Sequence, residues 1–107
     1  MSAERIRELN EKLRRTFHGG QVLMTAGVNA LPDDVKARIL EKVRTFDAFS
    51  EENDPHREHD FGAFEEGGRK VFFKLDYYDA AMQFGSEDPA DPSKTTRVLT
   101  IMLASEY

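Results

Sequence analysis

The sequence contains no cysteine among its 107 residues. This absence excludes a disulfide framework, a thiol nucleophile, an iron–sulfur cluster and a zinc site built on thiolates. Any metal ion would have to bind histidine or carboxylate side chains. A chain without cysteine also fits a reducing compartment, and we expect the protein to be cytoplasmic.

Long apolar runs are also missing. The longest lies within residues 98–104 and is interrupted by Thr100, so it is far shorter than the roughly 20 residues that a membrane-spanning helix needs. Charges recur every few positions near the amino terminus, unlike the apolar stretch of a signal peptide. We therefore predict a single domain over residues 1–107 with no transmembrane segment.

The motifs of several common enzyme classes are absent as well. No glycine-rich phosphate loop with its lysine occurs, which excludes nucleotide binding of that type. No serine lies in the glycine elbow of a serine hydrolase. The triplet at residues 60–62 matches one kinase motif, but the other kinase motifs do not accompany it.

Charge is unevenly distributed in a chain with a formal net charge of −5. Residues 47–66, called the acidic segment below, hold eight acidic side chains and one basic side chain. The acids are Asp47, Glu51, Glu52, Asp54, Glu58, Asp60, Glu65 and Glu66. Such a segment repels nucleic-acid phosphates, so direct nucleic-acid binding is disfavoured. It can attract a cation or a basic protein surface, mimic DNA in a basic cleft, or serve only as a solvated loop.

Apolar spacing predicts two amphipathic helices separated by a short strand. The first helix is predicted over residues 2–17, with Ser2 as its N-cap and two glycines after its end. Its apolar stripe consists of Ile6, Leu9, Leu13 and Phe17. A buried strand is predicted over residues 21–25, and a second helix over residues 31–47.

The second half of the chain predicts a small sheet. Residues 61–65 and 70–77 form a hairpin across a glycine-rich turn, and residues 81–84 add a third antiparallel strand. Residues 95–104 fit either a helix or a buried strand, and the preceding Asp-Pro pair favours the helix. The fold class is therefore α+β, a small antiparallel meander with about three helices in the order α-β-α-β-β-β-α.

Two histidines within four residues form the most chemically suggestive cluster. His56, His59 and Asp60 are candidate ligands for a divalent metal such as Zn, Mn or Fe. In a small metal-dependent hydrolase, Asp76 or Glu58 would carry the proton. The spacing is generic, and the same residues fit an ordinary hydrogen-bonded loop in which His59 bridges two backbone segments.

Aromatic and methionine side chains are predicted to fill the core, including Met24, Met82 and Met102. Because neighbouring strand residues point to opposite faces, one of Tyr77 and Tyr78 must lie away from the helices. Exposed aromatics there would form an interface, and an uncovered sheet face favours a homodimer.

Several short motifs together carry a family resemblance. They occupy residues 24–28, 53–56, 59–62, 76–79 and 97–104. From about residue 6 to residue 107, the chain resembles a small bacterial family, a domain of unknown function common on alphaproteobacterial plasmids and integrated mobile elements. The resemblance implies no activity, cofactor or catalytic residue. It implies a setting in which accessory proteins modulate host defence, plasmid maintenance or transfer.

We expect a non-enzymatic accessory protein that binds a partner protein through the acidic segment and nearby aromatic residues. The candidate binding residues are Glu51, Glu52, Asp54, Glu58, Tyr77 and Tyr78. The alternatives are the metal-dependent enzyme and an acidic DNA mimic, which needs carboxylates spaced like phosphates along one face.

Overall fold

The computed structural model describes residues 2–107. Within them, three helices, four strands and a terminal 3₁₀ turn follow one another along the chain. The helices are α1 (Ser2–Thr16), α2 (Ala26–Asn29) and α3 (Asp33–Thr45). The strands are β1 (Gln21–Met24), β2 (Phe61–Glu66), β3 (Arg69–Tyr78) and β4 (Thr96–Leu103). The predicted α+β class is confirmed.

Both long helices lie where their apolar spacing predicted them. α1 ends at Thr16, and Phe17 itself takes the left-handed conformation, with φ 60°. Of the two glycines that follow the helix, Gly19 also adopts this conformation, with φ 103°. α3 begins after Pro32 and carries aspartates in its first turn, where they complement the helix dipole. The predicted cap at Ser2 concerns a side chain outside the described residues.

The short helix α2 was not predicted. It is a single four-residue turn directly after β1, too short to show a helical period. Its Val28 is fully buried and joins the main core.

The sheet has the strand order β1-β4-β3-β2. The hairpin of β2 and β3 is confirmed, and its turn residues Gly67 and Gly68 have φ 62° and 77°, as a tight two-residue turn requires. β3 also pairs antiparallel with β4. β1 pairs with β4 in parallel, so the sheet is mixed and not purely antiparallel as predicted. α2, α3 and the hairpin intervene between β1 and β4, which gives the chain the length that a parallel connection needs.

One face of the sheet, called the helix face below, carries the core. The helix residues Leu13, Ile39 and Val43 pack there against strand residues. The fully or nearly fully buried strand residues are Val71, Phe73, Leu75, Leu99 and Ile101. By strand alternation the opposite face, called the open face below, holds Phe72, Lys74, Asp76 and Tyr78 of β3, all half-buried.

Of the two structures predicted for residues 95–104, the favoured helix is wrong and the buried strand is correct, because residues 96–103 form β4. β4 is a central strand with Leu99 and Ile101 on the helix face and the buried Val98 and Met102 on the open face. A strand that is apolar on both faces shows no alternation, so its sequence imitates a helical face. The preceding Asp91 caps a turn instead, where its carboxylate accepts from the amide and hydroxyl of Ser93 (2.9 and 2.7 Å).

The predicted third strand over residues 81–84 is also absent from the described structure. A tight loop occupies these positions, and it touches the sheet through a bridge between Tyr78 and Gly85. Of the methionines predicted to be buried, Met102 is in the interior, whereas Met24 and Met82 are exposed. No helix within residues 2–107 has the length and apolar character that crossing a bilayer requires.

Candidate functional site

The first part of the acidic segment is a loop with a fixed conformation. Asp54 is only 4% exposed, and its Oδ1 accepts hydrogen bonds from the backbone amides of Glu58 and His59, each 3.1 Å long. Arg57 and His59 both have left-handed φ values, 58° and 54°. Such values cost energy in residues other than glycine and persist only where the surroundings enforce them. The loop is therefore held by specific contacts.

His59 connects this loop to α1. Its ring stacks on Phe49, with centroids 3.8 Å apart and planes within 4° of parallel. Its Nδ1 lies 3.1 Å from Oε2 of Glu11, and its Nε2 lies 3.6 Å from Oδ2 of Asp54. The imidazole thus lies between two carboxylates and is within hydrogen-bond distance of Glu11.

Arg14 of α1 also contacts the loop, because its guanidinium lies over the ring of Phe49. Arg14 is fully buried, donates to the carbonyl of Val43 (2.8 Å) and pairs with Glu11. Its guanidinium lies 5.3 and 5.7 Å from the ring centroids of Phe49 and Phe73. Among the described residues, its Nε has no hydrogen-bond partner. The loop aromatic Phe49 is thus held by contacts with both His59 and Arg14.

The pKa of Glu11 reflects this arrangement. Burial alone would raise the pKa, but hydrogen bonds from Arg14 and Arg15 outweigh burial and lower it from 4.5 to about 2. Glu11 is therefore ionised at neutral pH. As a fixed anion, it anchors both Arg14 and the ring of His59.

A second polar network fixes the end of the loop to the sheet. The fully buried Asn10 donates to the carbonyl of Glu58 (2.9 Å) and to the hydroxyl of Tyr77 (2.8 Å), and accepts from Nε of Arg97 (2.6 Å). The hydroxyl of Tyr77 donates to Oε1 of Glu58 (2.9 Å). Arg97 is 3% exposed and lies 5.0 Å from the ring centroid of Tyr77.

Burial shifts the titration of three groups near this network. Burial, together with the carboxylate of Glu58, raises the pKa of Tyr77 well above its usual range. Burial also lowers the pKa of Arg97. Burial and the nearby charges of Glu58 and Asp54 raise the pKa of Asp60. The hydroxyl of Tyr77 therefore stays protonated and acts as a hydrogen-bond donor.

A cleft opens on the outside of the loop, with a volume of about 260 Å³. Its wall residues are Arg7, Phe49, Ser50, Glu51, Asp54, Arg57 and His59. Nη1 of Arg7 donates to the carbonyl of Arg57 (3.1 Å), which ties α1 to the rim. Two arginines and two carboxylates line the cleft, so its formal net charge is zero. The remaining acidic side chains of the loop lie outside the cleft.

The residues predicted to bind metal do not form one cluster. His56 is exposed, whereas both ring nitrogens of His59 face carboxylates. Asp76, one of the two predicted proton carriers, lies on the open face, where it pairs with Lys74 (3.0 Å). Within residues 2–107, no group of three or more histidine, aspartate or glutamate side chains is placed to hold a metal ion.

The residues predicted to bind a partner fall into three environments. Glu51 and Glu52 are exposed on the loop. Asp54, Glu58 and Tyr77 belong to the internal hydrogen-bond networks described above. Tyr78 lies on the open face, because it is adjacent to Tyr77 in β3.

Most of the residues that hold the loop were not predicted from the sequence. They are Asn10, Glu11, Arg14, Phe49 and Arg97. The sequence did contain a signal for two of them. Ile6, Asn10 and Arg14 follow one another at intervals of four residues. This spacing places all three on one helical face. The polar members of that face are fully buried, whereas Leu9 of the predicted stripe is only half-buried.

Comparison with known proteins gives one family. Searches of curated proteins and of solved structures each find no match. The family described as "Protein of unknown function (DUF3768)" matches residues 24–106, which include α2, α3, the acidic segment and all of β2, β3 and β4. The matched region is more than half of the chain, so this protein belongs to the DUF3768 family.

Proposed function

We propose that this protein is a cytoplasmic accessory protein that binds a partner protein through the outer surface of the acidic segment. The observation that carries the proposal is the fixed conformation of the loop at residues 46–60. A loop without helix or strand is held by the buried Asp54, Asn10 and Arg14 and includes two residues in the left-handed region.

Holding a loop in this way favours binding. Buried polar groups cost free energy unless their partners are well placed, and left-handed backbone adds to that cost. A loop that is already ordered loses less conformational entropy when a partner binds. The buried networks therefore support a surface that meets its partner in a fixed shape.

The exposed charges indicate the chemistry of the partner. Asp47, Glu51 and Glu52 are exposed, and the nearest cation to Glu51 is Arg57, at 4.0 Å. Exposed carboxylates grouped on one loop attract a basic surface and accelerate its association. The partner we propose is a protein with a lysine- or arginine-rich contact surface. The resemblance to proteins of mobile elements further suggests a host or element protein as that partner.

The experiment compares three baits in extracts of a host cell. The loop variant carries Glu51→Lys and Glu52→Lys, and the control variant carries Glu8→Lys and Glu41→Lys, so the change in charge is equal. All four positions are exposed. We expect wild type and control to retain the same partner, and the loop variant to bind it at least roughly tenfold more weakly.

Two further readouts address mechanism. Added salt should weaken the wild-type complex, because exposed charges are screened. Asp54→Ala keeps the exposed acids but removes the acceptor of two loop amides, so it should also weaken binding. Retention of every partner by the loop variant would overturn the proposal.

A further inference from the structure

The open face of the sheet carries a partly exposed aromatic cluster. The ring centroid of Phe72 lies 5.2 Å from that of Phe61 and 5.5 Å from that of Tyr107. Tyr107 is 77% exposed, and Leu23 of β1, the strand at the opposite edge of the sheet, is 49% exposed. The helix face is filled by α1 and α3, and on the open face Val98 and Met102 of β4 are also buried, so the accessible part of the open face is its β2 and β3 side.

The loop that follows β3 presents further apolar side chains in a fixed shape. Residues 79–85, called the finger below, expose Phe84 by 71% and Met82 by 43%. Asp79 organises the finger: its amide donates to the carbonyl of Phe84 (2.7 Å), and its carboxylate accepts from the amide of Gln83 (2.9 Å). The bridge between Tyr78 and Gly85 closes its base.

A cavity of about 380 Å³ lies at the other end of the same strand. Its walls are Arg69, Lys70, Leu103, Ala104 and Ser105. β3 starts at Arg69 and ends at Tyr78, so the strand separates cavity and finger by roughly 30 Å at about 3.4 Å per residue. A finger cannot reach the cavity of its own chain across that distance.

The charges of the two ends are complementary. The finger begins with Asp79 and is followed by Glu87 and Asp88, with no basic residue before Lys94. The cavity presents Arg69 and Lys70 beside the apolar Leu103. An apolar side chain flanked by acids fits a partly apolar cavity flanked by cations. An anionic lipid surface would instead repel the acids around the finger.

We propose that a second copy of this chain covers the open face, with the two β3 strands antiparallel about a two-fold axis. Because finger and cavity lie at opposite ends of β3, this arrangement brings each finger to the cavity of the other chain at the same time. Phe84 of each copy meets the cavity on its open-face side, at Lys70, which shares that face with Phe72, and the acids after the finger meet Arg69 and Lys70. The aromatic cluster is then buried between the two sheets.

Sedimentation equilibrium tests the dimer directly. Wild type should have twice the monomer mass of 12.2 kDa, falling to the monomer mass on dilution. Phe84→Asp should be monomeric at concentrations where wild type is a dimer, and it should keep its circular dichroism spectrum because Phe84 is exposed. Met24→Asp places the same charge at another exposed apolar position and should leave the dimer intact.

Charge exchange and crosslinking test the predicted pairing. Arg69→Glu should weaken the dimer, and adding Glu87→Arg should restore it. The chain has no native cysteine, so Gln83→Cys combined with Ser105→Cys should form an intermolecular disulfide on oxidation, joining finger to cavity.

The proposal is overturned by a wild type that is monomeric throughout, whether or not it co-sediments with phosphatidylglycerol vesicles. A dimer that survives Phe84→Asp but is lost with Met24→Asp would also overturn it, since the interface would then be the edge of β1. Crosslinking that gives only symmetric 83–83 or 105–105 disulfides would exclude the proposed pairing.

Discussion

Asn10 joins α1, the acidic segment and β4, so its replacement by alanine tests the network most directly. The substitution removes three hydrogen bonds, to the carbonyl of Glu58, the hydroxyl of Tyr77 and the Nε of Arg97. A neutral hydrogen bond contributes about 0.5–1.5 kcal/mol and one to a charged group about 1.5–3 kcal/mol. We therefore expect Asn10→Ala to lower the free energy of unfolding by about 3 to 4 kcal/mol, and Tm by roughly 15 °C.

Urea unfolding followed by circular dichroism measures this change. Asn29→Ala is the matched control, because Asn29 is exposed in α2 and should change stability by less than about 0.5 kcal/mol. If Asn10→Ala lost less than about 1 kcal/mol with an unchanged denaturant slope, the three bonds would not hold the loop as argued. A large loss of unfolding free energy in Asn29→Ala would show that the assay does not distinguish a buried asparagine from an exposed one.

Three further predictions concern titration and packing. Because the folded pKa of Glu11 lies below its unfolded value, its stabilisation is complete above about pH 4.5 and is lost as the pH falls toward about 2. Urea unfolding between those pH values should show a weaker pH dependence in Glu11→Gln than in wild type, whereas the exposed control Glu8→Gln should match wild type. Gly62→Ala should cost about 2 kcal/mol or more, because the new Cβ would lie 2.2 Å from the fully buried ring of Phe73. Gly85→Ala should be nearly neutral by the same assay, since its nearest atom is 3.8 Å away, and equal losses in both variants would contradict the argument. Because the pKa of Tyr77 is raised by burial, Tyr77→Phe should leave the phenolate absorbance titration of the folded protein unchanged. A missing phenolate step in that variant before alkaline unfolding would show that Tyr77 ionises in the fold.

The elements that could be predicted are those whose signal is local. α1 and α3 follow from apolar spacing, and the hairpin follows from the glycine pair at its turn. β4 could not be distinguished from a helix because it is apolar on both faces, and its parallel pairing with β1 depends on residues about 77 positions apart. Local periodicity carries no information on which strand lies beside which.

In the candidate site, too, some features could be predicted from the sequence and others could not. The concentration of acids in residues 47–66 is visible in the sequence, but which acids are exposed is not. Asp54 and Glu66 look equivalent to Glu51 by composition, yet Asp54 is buried and Glu66 pairs with Arg38 and Lys42. The bond between Arg97 and Asn10 spans 87 positions. Networks of this kind depend on packing between distant elements, which residue types alone do not specify.

The two proposed surfaces lie on different sides of the sheet, and this has a measurable consequence. The loop aromatic Phe49 packs near Phe73, on the helix face, whereas the proposed dimer uses the open face. A dimer would therefore present two acidic loops facing away from its interface. Binding to a partner fixed at high density on a surface would then be bivalent and stronger than binding to one site. Phe84→Asp should lose that avidity while its affinity for the partner free in solution equals that of wild type. Loss of affinity in solution as well would mean that the finger contacts the partner itself, and that the two surfaces are one.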